Sequence, residues 1–406
     1  MNLFKVKKIK NNKIIAIINV GSYKVRVAIC SFSFSGIKIL WYWEKRQSRL
    51  DIINNEINNL SGVYETIKEA LEKAELEVDE KVEEIVINPF FTTSYFYTKN
   101  ILYKNKTNET ELKIEDVSKI ISFVEKNSLD SIFVDIERKY WYSKDELEII
   151  LSNILEINID WEKKDSLLWE KAEDIKIKIL NTLISKYNYE LLENIAVFLE
   201  KKIYKIIPEE YSITKLANKD CREVFVDIWN SSTSISITNK DWTLFWALRI
   251  DIWIWDLLKT ITKKYNKSRV EVIKKLTRDD LFKKEKQDFL VIFSDILIEW
   301  LKELLQWQIC PSDFILVGGW AYNKFIEDFL RQKDFNSMWV KILKNINFKT
   351  VSIEQIKKIW EIEKILNISN INIVSQIIAT NNILLSSNNL TQKILKDFIE
   401  KKIINS

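Results

Sequence analysis

Glycine supplies left-handed backbone at turns and lets a main chain approach a phosphate closely. This chain of 406 residues contains only five, where an ordinary chain carries roughly 7%. The 15 tryptophans run the other way, and they stand where glycine belongs. Asp241-Trp242 lies between two β-rich runs like an Asp-Gly hairpin turn, and Gly318-Gly319-Trp320 has the form of a triple-glycine loop. Trp229 interrupts a loop of small residues, and Trp253 and Trp255 alternate with Ile252 and Ile254. Core tryptophans would follow helix or strand periods, whereas these follow turns. The reading is that most are glycines in the natural protein, encoded by UGA codons that its lineage decodes as glycine.

Composition excludes several function classes. A net charge of +4, from 62 basic and 58 acidic residues, is too balanced for nucleic-acid binding. Cys30, Cys221 and Cys310 are odd in number and widely spaced, which argues against a disulfide framework or a zinc site and points to a reducing cytosol. With no histidine, imidazole acid–base chemistry and histidine metal sites are absent. The start of the chain, with Lys5, Lys7, Lys8, Lys10 and Lys13, lacks a signal peptide's apolar core, and no apolar run reaches membrane-spanning length. A soluble or peripherally bound protein of roughly two to four compact units is expected.

Two hairpins carry the chemistry. Lys13 to Ile29 is a β-rich run, a tight turn at Gly21-Ser22 and a second β-rich run. The pattern recurs at Val224 to Ile237, where an apolar strand ends in Asp227 and turns through Trp229, Asn230, Ser231 and Ser232. Two such units suggest a duplicated fold with phosphates clamped between its halves. A third element, Asp313 to Val317, is a buried strand leading through Gly318, Gly319 and Trp320 into a helix over Tyr322 to Leu330. Between these, spacing predicts helices over Val63 to Ala74, Leu112 to Ile121, Tyr189 to Lys202, Val270 to Leu276, Phe289 to Leu305 and Ile371 to Leu385. Strands are predicted over Val82 to Ile87, Glu148 to Ile159 and Ile175 to Ile184.

At the far end, Leu390 to Ile404 places apolar residues on one helical stripe flanked by lysines. Ile394, Leu395, Phe398 and Ile399 are the expected membrane contacts, with a helix docked on the core as the alternative.

The segments Asn19-Val20-Gly21-Ser22-Tyr23-Lys24, Asp227 to Thr233 and Leu316 to Ala321 resemble the phosphate-1, phosphate-2 and adenosine motifs of the actin/Hsp70/sugar-kinase superfamily. Within it the chain is most similar to FtsA, the bacterial cell-division actin homologues. The resemblance implies a two-lobed α/β actin-like ATPase fold with an inserted small α+β domain in the first lobe. The implied division is 1–88 and 175–220 for lobe one, 89–174 for the insertion, 221–388 for lobe two, and 389–406 for a linker and amphipathic helix. It further implies ATP and Mg²⁺ as cofactors, self-association into filaments, the FtsZ C-terminal peptide as partner, and a place on the inner face of the cytoplasmic membrane at the division site. Glu271 and Lys274 resemble the family's adenosine-contacting pair, and Asp227 would hold magnesium-bound water. The family's phosphate-1 Asp is Asn19 here, so the chain is expected to be at most a weak ATPase. A PilM-like pilus-assembly scaffold and a small-molecule kinase of the same superfamily are the alternatives.

Overall fold

The computed structural model describes residues 12–33, 35–48, 50–53, 56–90, 94–105, 110–218, 221–228, 233–239, 244–250, 254–276, 282–305, 308–318, 324–333, 335, 340–349, 351, 359–360, 370–386, 389 and 391–396. In chain order the elements are β1 (Lys13–Val20), β2 (Lys24–Ser33), β3 (Gly36–Arg46), β4 (Ile52–Ile53), β5 (Glu56–Ile57), α1 (Leu60–Val78), β6 (Glu84–Ile87), β7 (Tyr95–Lys104) and α2 (Ile114–Tyr140). Then come β8 (Leu147–Ile159), β9 (Glu162–Lys164), β10 (Asp174–Ser185), α3 (Lys186–Phe198), β11 (Lys202–Ile206), α4 (Glu209–Ile213), β12 (Glu223–Ile228), β13 (Thr233–Thr238) and β14 (Leu244–Ile250). The chain continues with α5 (Ile254–Tyr265), α6 (Arg269–Leu276), α7 (Lys283–Leu305), β15 (Asp313–Val317), α8 (Lys324–Arg331), β16 (Asn347–Lys349), β17 (Ile359–Trp360) and α9 (Ile371–Ser386).

The chain divides into two compact units, Met1–Val82 with Pro208–Gln376, and Glu83–Ile207 with Ile377–Ser406. This cut differs from the expected one: β6, β10, α3 and β11 go with the inserted region, and so does the end of the chain.

In the first unit the β1–β2 hairpin is buried on both faces, so its strands read as continuous Ile/Val/Ala runs. α1 begins at Asn59, whose side chain accepts from the Gly62 N–H, and lays Val63, Ile67, Ala70, Leu71 and Ala74 against the sheet. The second sheet of this unit has the order β14-β13-β12-β15-β16. β12 pairs antiparallel with β13 and parallel with β15, with Asp227 opposite Val317. A core containing Val226, Phe314, Leu297 and Leu301 packs α7 on that sheet, each such side chain contributing about 1.5–3 kcal/mol.

The second unit holds the sheet β7-β10-β8-β9 and the parallel pair β6–β11. α2 covers that sheet, burying Val117, Ile120, Ile121 and Val124. The helix runs 27 residues, well past the expected Ile121, because Leu129, Ile132 and Ile136 keep the buried stripe going through the weak formers Asn127 and Ser128. α3 likewise begins earlier than expected and stops at Phe198, leaving Lys202 to open β11.

Among the described residues three tryptophans stand on left-handed backbone. Trp141 (φ 61°) caps the C-terminus of α2, donating its N–H to the Glu137 carbonyl. Asp160 (φ 46°) and Trp161 (φ 74°) form the two-residue turn between Ile159 of β8 and Glu162 of β9, the backbone for which Asp-Gly is preferred. Trp169 has φ 68°. Their side chains are 89%, 85% and 60% exposed, so no packing explains an indole at these places. An L-residue costs roughly 1–2 kcal/mol in this conformation, and glycine does not.

Candidate nucleotide site

The C-terminal ends of β12 and β15 lie side by side in the first unit, which brings Asp227 against Val317 and Gly318. Gly318 has φ 90°, and a Cβ there would fall 2.4 Å from the Ile228 carbonyl oxygen and 2.6 Å from Asp227 Oδ1. Only glycine fits, so main chain and carboxylate meet with no side chain between them. That is the arrangement a phosphate with its hydrated magnesium requires of an open α/β sheet, and the residues present fit both groups. Gly318 lets the end of β15 pack directly on Ile228 and Asp227, and Asp227 would hold magnesium through water. Among the described residues no group of three or more Cys, Asp or Glu side chains converges as a metal cage.

The first hairpin contributes a buried polar network. Asn19 is buried; its Nδ2 donates to Glu209 Oε1 at 2.8 Å, and its Oδ1 accepts from Arg26 Nη1 at 3.2 Å. Arg26 lies opposite Asn19 across the β1–β2 ladder and also donates from Nε to Asn370 Oδ1 at 3.2 Å. Burial pulls the Arg26 guanidinium down from its ordinary value, against the charges of Tyr42, Glu209 and Glu44. Burial alone would raise Glu44, but hydrogen bonds from Lys24 and Tyr42 outweigh it and hold the carboxyl below its ordinary range. Two residues beyond Asn370, Asn372 Nδ2 reaches Asp227 Oδ2 at 3.4 Å. The start of α9 thus touches both hairpins.

Of the expected site residues, the structure brings Asn19, Asp227 and Gly318 into this region. The Gly21 to Lys24 turn is closed by the Gly21 N–H on the Lys24 carbonyl at 3.1 Å. Lys24 is engaged by Glu44 at 2.6 Å, and Tyr23 is exposed with Arg46 over its ring. Ser22 lies in the same turn. Glu271 is occupied elsewhere: Lys267 and Lys275 each bind it at 2.7 Å and hold its carboxyl down at about 2. Lys274 sits exposed on the same helix. Trp229, Asn230, Ser231, Ser232, Gly319 and Trp320 lie outside the described residues. Arg26, Glu209, Asn370 and Asn372 escaped the sequence reading. Arg26 alone left a signal, a lone cation inside an apolar strand.

The expected membrane contacts are corrected by their surroundings. Leu395 is buried, 1% exposed, in the core beneath α2 and β10, and Ile394 packs against the same cluster. Ile394 and Leu395 pack into the second unit, so these two side chains are not presented to a bilayer. Phe398 and Ile399 lie outside the described residues.

Beside this docked stretch the second unit carries a groove of about 560 Å³. One wall is β8 from Ile149 to Asn153, whose outer edge meets β9 only from Ile157 onward. The opposite wall is α3 and β11, with Val197 75% exposed. Gln392 closes the end, accepting from the Ile154 N–H at 3.1 Å and donating to Asn153 Oδ1 at 3.0 Å.

No protein-family model matches the chain, and no curated protein matches it. Solved structures do. The PilM-PilN type IV pilus biogenesis complex superposes with a TM-score of 0.62 at 12% identity, over 90% of this chain and 97% of that one. The ethanolamine utilization protein EutJ from Carboxydothermus hydrogenoformans follows at 0.46 and 8%, over 91% and 90%. A Ppx/GppA family member from Aquifex aeolicus gives 0.35 and 13%, over 95% and 92%. The chain has the actin-like ATPase fold. These identities show the fold alone.

Proposed function

We propose that this protein is a nucleotide-binding scaffold of actin-like fold that docks a protein partner, in the manner of a pilus-assembly component. The observation that carries the nucleotide half is the Gly318–Asp227 approach, which sets a carboxylate at a strand end beside a glycine that opens the following loop. The partner half is supported by the groove. An extended segment can add main-chain hydrogen bonds to the open edge of β8 while its side chains reach Ile149, Leu151 and Val197. The likeness to the PilM-PilN complex supports a PilN-type partner over the FtsZ peptide, and the packing of Leu395 and Ile394 into the second unit's core points the same way.

The nucleotide half is tested by titrating the chain, translated with glycine at positions 229 and 320, with ATP and magnesium; micromolar binding is expected, and none at millimolar ATP would overturn it. The partner half is tested by fluorescence anisotropy of labelled segments from a PilN-type protein and from the FtsZ C-terminus. Val197→Asp should weaken binding at least tenfold without moving the melting temperature, because the side chain is exposed. Selective capture of the FtsZ segment would return the assignment to cell division.

A further inference from the structure

We infer that the segment docking in the groove of the second unit is acidic, an extended stretch of about five residues in which carboxylate side chains alternate with apolar ones. The inference rests on the partner reading above and adds the chemistry of that partner. Five charged side chains line the groove, and four of them, Lys201, Lys202, Lys205 and Lys396, are cations. The fifth, Glu193, takes a hydrogen bond from the Tyr189 hydroxyl. The chain as a whole is nearly balanced, 62 basic residues against 58 acidic, so the excess of positive charge is local to this surface. A basic rim of this kind draws an acidic segment in and disfavours a basic one.

That the occupant is a peptide follows from what the chain itself places there. The Gln392 side-chain amide accepts from the Ile154 N–H and donates to Asn153 Oδ1, so an amide already sits on the outer edge of β8 where a neighbouring strand's peptide group would. Ser152 stands two residues back in the same ladder and lines the groove. The two-residue period turns its N–H and C=O to that same edge. The wall from Ile149 to Asn153 is about 17 Å long at the rise of an extended strand, the span of about five residues. Along such a segment successive side chains face opposite ways, so one set can meet Ile149, Leu151 and Val197 while the other meets the lysines. A nucleic acid or a lipid headgroup would use the lysines but neither the strand edge nor the apolar wall.

The experiment selects binders from a library of random heptapeptides on the full-length chain. Their affinities are then measured by fluorescence anisotropy against the parent, Val197→Asp, Lys202→Glu and the double variant Lys202→Glu/Lys396→Glu. Loss of binding to Val197→Asp marks the peptides that occupy the groove. Those peptides should carry Asp or Glu alternating with apolar residues, weaken about tenfold on the double charge reversal, and weaken as salt rises. Copies with lysine in place of the acids should bind the double variant better than the parent, a rescue that a misfolded variant could not give. Should the double variant fail to fold, Lys202→Glu decides alone, since its side chain is exposed and a loss of about threefold is expected. Groove-dependent peptides that lack acids, or that bind the charge reversals as tightly as the parent, overturn the inference and leave the partner reading standing. A selection that yields no Val197-dependent peptide overturns both.

Discussion

At positions 141, 161 and 169 the backbone asks for glycine and the chain offers an exposed indole. Trp161→Gly and Trp141→Gly should therefore each stabilise the second unit by about 1 kcal/mol, the left-handed strain relieved less the entropy that glycine adds to the unfolded chain. Urea unfolding measures this, and the gene should read UGA at the same three codons. A second residue, Lys215, titrates where it can be followed. Burial pushes its ammonium down to about 8, with Tyr211's ring 4.2 Å away. Below about pH 8 both folded and unfolded chains hold the proton and the burial cost is fully present. From there toward the unfolded value of about 10.4 the unfolded chain binds more protons, so stability should rise with pH. Lys215→Met should flatten that rise between about pH 8 and 9.5, before tyrosine ionisation intervenes.

Elements were legible where burial is one-sided or total. The β1–β2 and β12–β13 hairpins, α1, α6 and α9 follow from apolar spacing, and Asp227 and Gly318 follow from the strand ends they occupy. The network around Asn19 was not legible. Arg26 and Asn370 are 344 positions apart, and no local pattern announces a contact of that reach. The placement of Ile394 and Leu395 was illegible for another reason, since one apolar stripe with lysines at its flanks serves a bilayer or a core equally well. Packing decides it. Leu395→Ala should cost about 2–5 kcal/mol, as large-to-small changes in filled cores do, and the shift in denaturation midpoint would show it. A membrane-facing leucine would leave the midpoint in place.

For the whole molecule, both units are discontinuous in sequence. Cutting the chain before Asn389 would strip Leu395 from the second unit and Gln392 from its groove, so calorimetry should show a lowered transition for that unit. ATP affinity, which belongs to residues of the first unit, should stay within about twofold. The same discontinuity has a consequence for synthesis. Arg26 leaves the ribosome long before the asparagine it must bind, and at about 5–20 residues per second that interval is roughly 20–70 s. For that time the strand holding a cation among Val25, Val27 and Ile29 has no finished site to enter, and a nascent chain in this state is a natural client for a holding chaperone.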